Sequence, residues 1–186
     1  LNELADTGTT EDLRAAVAQI EISPCKNGIG FEIVDERLRC IGGGFVPFVS
    51  TPNTSGPISS LEALVFHYTA TNDASWTMRW YASGNARAST HVLIDRSGGV
   101  VQMVPFDTKA WHAGRSSYEP LGLNGMNSYS VAIEMVNLGQ LTLQSDGTYR
   151  GFAGGSADAS EVVELEENGQ ITYWHKYTPE QIAAAT

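Results

Sequence analysis

The sequence predicts an α/β domain built on a mixed central β-sheet flanked by helices. Three observations predict it. A near-continuous apolar run, Ala63-Leu64-Val65-Phe66-His67-Tyr68, is strand-sized and reads as a central strand buried on both faces. Two β-rich stretches at 91–94 and 100–104 are joined by Asp95-Arg96-Ser97-Gly98-Gly99, a hairpin signal. Helical patterns fall between and after them, at 75–82 and from Pro179 onward. Strands interleaved with helices in this way favour sheet-and-helix layers over an all-β sandwich.

Taken in order, Thr9-Thr10-Glu11-Asp12 followed by Leu13, Ala16, Val17 and Ile20 predicts a capped amphipathic helix with acids in its first turn. A β segment is expected around 31–34 and 38–41, ended by Gly42-Gly43-Gly44. The Ser-, Thr-, Pro- and Gly-rich stretch 50–57 is a composition break and reads as a linker. It divides an N-terminal extension, 1–57, from a main domain, 58–186. Within that domain a helix over 75–82 begins at Asp73 or Ser75, with Trp76, Met78, Trp80 and Tyr81 among its residues. A further strand covers 130–136. Asp146-Gly147 and Asn168-Gly169 each sit between β-prone stretches and suggest two more hairpins or an elaborated loop, expected to shape one wall of a groove. Thr178-Pro179-Glu180-Gln181 combines an N-cap, Pro at the first helical position and a capping-box Gln, so a helix starts at about Pro179. Only about two turns follow, too few for a stable isolated helix, and the chain is expected to continue past Thr186.

Composition limits the function. Of 186 residues, 42% are apolar and 17% charged, as in a folded soluble domain. No run approaches the roughly 20 apolar residues that span a bilayer, and no basic head with an apolar middle marks a signal peptide. A formal charge of −10 argues against a nucleic-acid partner. The acids Asp158, Glu161, Glu164, Glu166 and Glu167 read as a solvated face. The two cysteines, Cys25 and Cys40, are compatible with one disulfide or with two buried thiols.

Some residues have the right chemistry for a site. His67 ends an apolar strand, where α/β sheets present functional groups, although a lone histidine there is more often structural. Glu134 is the odd residue in an apolar strand: either exposed at the strand end or held in a site with its pKa tuned for proton transfer. His91 opens a strand and His112 lies in a loop beside Trp111, while His175, between Trp174 and Tyr177, reads as surface or packing. H-E-x-x-H, P-loop and G-x-S-x-G patterns are all missing, leaving zincin, NTPase and serine-hydrolase readings unsupported.

Five motifs then line up in order over residues 63–182, roughly two-thirds of the chain. Leu64-Val65-Phe66-His67-Tyr68-Thr69-Ala70-Thr71 resembles the first zinc-ligand strand of the type 2 N-acetylmuramoyl-L-alanine amidases, which include phage lysozyme-type amidases and peptidoglycan recognition proteins. The stretch from Ser89-Thr90-His91 to Gly98 resembles the family's "S-x-H-x-L-I-x-R-x-G" hairpin, and Ala110-Trp111-His112-Ala113-Gly114 its "A-W-H-A-G" loop. Asn127 to Glu134 resembles "N-x-x-S-I-G-I-E", and Tyr177-Thr178-Pro179-Glu180-Gln181 resembles "Y-T-x-x-Q".

The resemblance implies a peptidoglycan-recognition-like fold. It also implies zinc-dependent hydrolysis of the amide between N-acetylmuramic acid and L-alanine, acting on peptidoglycan or muropeptides. Carried over, His67 is a zinc ligand and Glu134 the acid/base residue. Thr90, His91, Trp111, His112 and Asn127 are expected to line the groove and contact substrate. The family's other two zinc ligands, a His and an Asp or Cys, are expected beyond Thr186. The alternative is a peptidoglycan-binding module that does not cut. A cell-envelope or secreted location is expected, with a cytoplasmic or phage-borne one also compatible. The pattern specifies no oligomeric state.

Overall fold

The computed structural model describes residues 30–186 together with Val17, Ile20, Ile22 and Cys25. Most of the helix expected over 9–20 therefore lies outside the described residues. The chain enters with β1 (Phe31–Val34), β2 (Arg37–Cys40) and β3 (Thr54–Pro57). Next come β4 (Ala63–Tyr68), helix α1 (Ala74–Ala82), β5 (Val92–Ile94), β6 (Val100–Gln102) and β7 (Thr108–Ala110). Two short strands, β8 (Ser117–Tyr118) and β9 (Leu123–Asn124), precede β10 (Ser130–Met135). The chain then forms β11 (Gln140–Leu143), β12 (Tyr149–Gly151), β13 (Ser156–Ala157), β14 (Val162–Glu167) and β15 (Gln170–His175). Helix α2 (Pro179–Ala185) follows.

The central sheet has the order β4-β10-β5-β6, with β10 parallel to both neighbours and β5–β6 an antiparallel hairpin. It is the mixed, helix-flanked sheet that the sequence predicts. On one face, Ala74, Met78 and Ala82 of α1 pack on Leu93, Val101, Met103 and Val136, with Val17, Ile20 and Ile22 joining them. On the other, Ala184 and Ala185 of α2 pack on Val92, Ile94, Ile133 and Met135.

The apolar run 63–68 does not form a central strand. β4 is at an end of the sheet, and its burial alternates: Leu64, Phe66 and Tyr68 are 52%, 50% and 44% exposed. Its composition records apolar contacts without recording how many neighbours supply them. The centre belongs to β10, in which every residue except Ile133 is buried.

The stretch read as a linker also acquires structure. β3, within 50–57, pairs antiparallel with β7, and Ile58 donates to the Asp107 carbonyl. A two-stranded ribbon tolerates Pro57 because edge positions need no ladder donor. Ahead of it, the β1–β2 hairpin is held by the fully buried Gln102 side chain. Gln102 Oε1 accepts from Leu38 N at 2.8 Å and Arg37 Nε at 3.1 Å, and Nε2 donates to the carbonyls of Glu36 and Val104. Gln102→Met keeps the volume and strands these partners, so it is expected to cost about 2 kcal/mol in urea unfolding. No loss of stability would show that the partners find replacements. Cys25 and Cys40 form a disulfide, with Cα atoms 5.6 Å apart, closing the alternative of two free thiols.

Both later turn signals mark hairpins, within a five-stranded antiparallel sheet of order β13-β12-β11-β15-β14. Its anchor is Asn137, which donates to the carbonyls of His175 and Lys176 and accepts from Gly139 N. Gly139 has φ +72°, and a Cβ there would clash with the Tyr68 ring, so glycine is required on both counts. His175 is buried and accepts from Leu138 N, a packing role. Most of the acidic cluster lies exposed on β14, while Glu161 pairs with Arg96 at 2.7 Å.

Helix α2 begins as its motif requires. Thr178 Oγ1 accepts from Gln181 N, and Gln181 Oε1 accepts from Thr178 N. The same buried Gln181 donates through Nε2 to the Val136 carbonyl, so the cap also fastens the helix to the end of β10.

Candidate active site

Parallel pairing puts Glu134 of β10 opposite His67 of β4. Facing residues on adjacent strands project to the same side, here the face covered by α1. Tyr81 of α1 reaches down to donate its hydroxyl to Glu134 Oε1 at 2.8 Å. The other carboxylate oxygen, Oε2, is buried and has no hydrogen-bond partner among the described residues. Burial drives the Glu134 pKa up to about 7, and the Tyr81 hydrogen bond offsets part of that rise. A carboxyl with one oxygen clamped and one free, titrating near neutrality, is equipped to take up and give back a proton.

His67 is half-buried, and its Nε2 lies 3.0 Å from His112 Nδ1. The proton order along this chain follows from its far end. Ser130 Oγ donates its single hydroxyl proton to the Met126 carbonyl at 2.6 Å, so at 3.0 Å it accepts from His112 Nε2. Burial, with His67 and His91 close by, pushes the His112 pKa down to about 4, so this ring is neutral at pH 7 and carries one proton. His112 Nδ1 is then the acceptor and His67 Nε2 the donor. That assignment leaves His67 Nδ1 with a free lone pair, the form in which an imidazole binds a metal. Burial also lowers the His67 pKa, which favours the neutral ring.

The loop bearing His112 is set by Asn127, whose Oδ1 accepts from His112 N at 3.1 Å and Ala113 N at 2.8 Å. Trp111, partly exposed beside it, donates its indole N–H to Ser55 Oγ at 3.0 Å. Trp111, His112 and Asn127 thus sit together with His67 and Ser130. Thr90 and His91 do not share that surface. Both are 0% exposed, which corrects the expectation that they line the groove. His91 Nδ1 accepts from Ala132 N and Nε2 donates to the Thr108 carbonyl, so its ring is fully used as a pin behind the site. Thr90 Oγ1 contacts the carbonyls of Val92 and Ala132. A histidine one strand away from a site looks the same in a sequence as one inside it.

Tyr81 is a side chain of the candidate site that the sequence does not mark: within 75–82 it is one aromatic among several, and its partner lies 53 residues away. Among the described residues no group of three or more His, Cys, Asp or Glu side chains gathers as a metal site.

With this geometry in view, the chain can be placed. The N-acetylmuramoyl-L-alanine amidase family model matches residues 57–186, and the chain belongs to that family. The chain is similar to the 1,6-anhydro-N-acetylmuramyl-L-alanine amidase AmpD of Citrobacter freundii, 38% identical over 86 residues. That match covers 46% of this chain and 44% of the relative. AmpD of Escherichia coli is 43% identical over 67 residues, 36% of this chain and 35% of the relative. The chain thus spans less than half the length of these curated relatives. Among solved structures, a crystal structure of a selenomethionine AmpD derivative is 31% identical with a TM-score of 0.42, over 49% of this chain and 60% of that one.

Proposed function

We propose that this protein takes part in zinc-dependent hydrolysis of the amide between N-acetylmuramic acid and the L-alanine of the peptidoglycan stem peptide. The observation that carries the reading is Glu134, buried opposite His67 with one oxygen held by Tyr81 and the other unsatisfied. An orphaned buried carboxylate oxygen is costly and marks a place where a ligand, ion or proton is expected.

The residues present fit a zinc ion as far as they go. His67 would hold it, with the lone pair left on Nδ1 by the His112–Ser130 chain. A zinc ion there supplies Lewis-acid polarisation of the scissile carbonyl. Glu134 accepts the proton of the attacking water on Oε2 and returns it to the leaving L-alanine amine. Tyr81 keeps Oε1 occupied, so the carboxylate presents a single basic atom in a fixed direction. His112 and Ser130 hold the His67 ring, and Trp111 offers an apolar wall to the substrate. The Cys25–Cys40 disulfide supports an oxidising compartment, the cell envelope or the secreted space. Among the described residues no helix is long and apolar enough to cross a membrane.

The test is release of L-alanine-headed peptide from N-acetylmuramyl peptides, with zinc content per chain measured on the wild type and His67→Ala. Cleavage that stops on chelation and returns with zinc, together with metal lost in His67→Ala, supports the reading. Retention on insoluble peptidoglycan with no cleavage would replace it with a binding module.

A further inference from the structure

The site stands on residues that precede the family match. Thr51 and Asn53 lie before residue 57, in the stretch whose composition reads as a linker, yet Asn53 is 3% exposed. Its side-chain amide donates to the carbonyls of Tyr81 at 3.0 Å and Ser83 at 2.9 Å, groups that the end of α1 leaves without intrahelical partners. Thr51 Oγ1 donates to the same Tyr81 carbonyl at 2.5 Å. On its other side, the Asn53 carbonyl accepts from Ser89 Oγ at 2.6 Å, and Ser89 Oγ accepts from Trp111 N at 2.9 Å. One residue therefore ties the helix end that aims Tyr81 at Glu134 to the loop that carries Trp111 and His112.

We propose that Asn53 is a positioning residue for amide hydrolysis: with Thr51 it clasps the C-terminal end of α1 to the Ser89–Trp111 wall and thereby holds the Tyr81 hydroxyl on Glu134. This rests on the reading of Glu134 as the acid/base residue. Asn53 touches no reacting atom and acts entirely through Tyr81. The geometry gives the reason for its burial. A helix end with free carbonyls is the part of a helix most ready to fray, and here the fraying end carries the one side chain that orients the carboxylate. The clasp removes that freedom.

Two readouts test the clasp, one of them independent of turnover. A Tyr81 hydroxyl proton held by the buried Glu134 carboxylate is expected to exchange slowly and be visible by proton NMR, assigned by its loss in Tyr81→Phe. Asn53→Ala is expected to broaden or abolish that signal, and Thr51→Val, isosteric and therefore mild, to weaken it. In turnover, Asn53→Ala and Tyr81→Phe are each expected to lower kcat by about tenfold or more with KM within about twofold. Adding Asn53→Ala to Tyr81→Phe should cost little further, because both act through one hydroxyl. An unchanged hydroxyl signal in Asn53→Ala, or in Thr51→Val if the former does not fold, would overturn the proposal. So would additive losses in the double variant. A wild type that cleaves nothing, but whose hydroxyl signal still depends on Asn53, would count against the hydrolytic reading while leaving the clasp established.

Discussion

Glu134→Ala is expected to lower kcat for peptide release by about two to four orders of magnitude while leaving KM and zinc content near wild type. The reason lies in how the carboxyl is held. Tyr81 clamps Oε1 at 2.8 Å and burial leaves Oε2 unsatisfied, so the group has one free basic atom and a pKa near 7. A proton acceptor whose pKa matches the working pH is deprotonated often enough to accept and is acidic enough to return the proton to the leaving amine. Alanine removes that transfer and leaves the neighbouring imidazoles, of which His112 and His91 have pKa values near 4 and are poor substitutes at neutral pH. Steady-state release of peptide from an N-acetylmuramyl peptide checks the result, with circular dichroism and metal analysis confirming an intact fold. A kcat within a few-fold of wild type would remove Glu134 from the reaction.

The second large effect concerns stability and its sign. The folded-state pKa of Glu134, about 7, lies above its ordinary value of 4.5, with burial the main cause. Below about pH 4.5 the carboxyl is protonated in folded and unfolded chains alike and costs the fold nothing. As pH rises from there toward 7, the unfolded chain ionises while the folded one keeps its proton, and stability falls. Above 7 the penalty is complete, and the interval between the two pKa values corresponds to about 3 kcal/mol. Glu134→Gln keeps an acceptor for Tyr81 and never ionises. In metal-free protein, urea unfolding should therefore show the variant matching wild type at pH 4 and exceeding it by about 2–3 kcal/mol at pH 8. A difference that does not change with pH would mean that the buried carboxylate is already compensated.

The same residues show where local pattern ends and tertiary contact begins. Thr178-Pro179-Glu180-Gln181 names its own helix start, because a capping box is made within four consecutive residues, and the structure forms both of its hydrogen bonds. The hairpin turns at Asp95–Gly99, Asp146-Gly147 and Asn168-Gly169 are legible for the same reason. Glu134 stands out as the odd residue in an otherwise apolar strand, and the motifs around His67, Trp111 and Glu134 lead to the family. These are properties of neighbouring side chains and their spacing.

What surrounds those residues was decided at a distance. Whether an apolar strand is central or at a sheet end depends on how many partners it finds, so Ala63–Tyr68 reads as doubly buried yet exposes one face. Whether a histidine lines a site or pins a backbone depends on what lies across the sheet, so His91 is sealed between Thr108 and Ala132 while His112 reaches His67. Tyr81 meets Glu134 across 53 residues, and Asn53 meets Tyr81 across 28. Sequence alone determined the sheet-and-helix class, the turns and caps and the family, and it singled out His67 and Glu134 as candidate site residues. Tertiary structure alone decided which oxygen of Glu134 the Tyr81 hydroxyl holds, which nitrogen of His67 faces His112, and that a threonine and an asparagine in an apparent linker fasten the end of α1 that carries Tyr81, because each depends on hydrogen bonds between segments with no common local pattern.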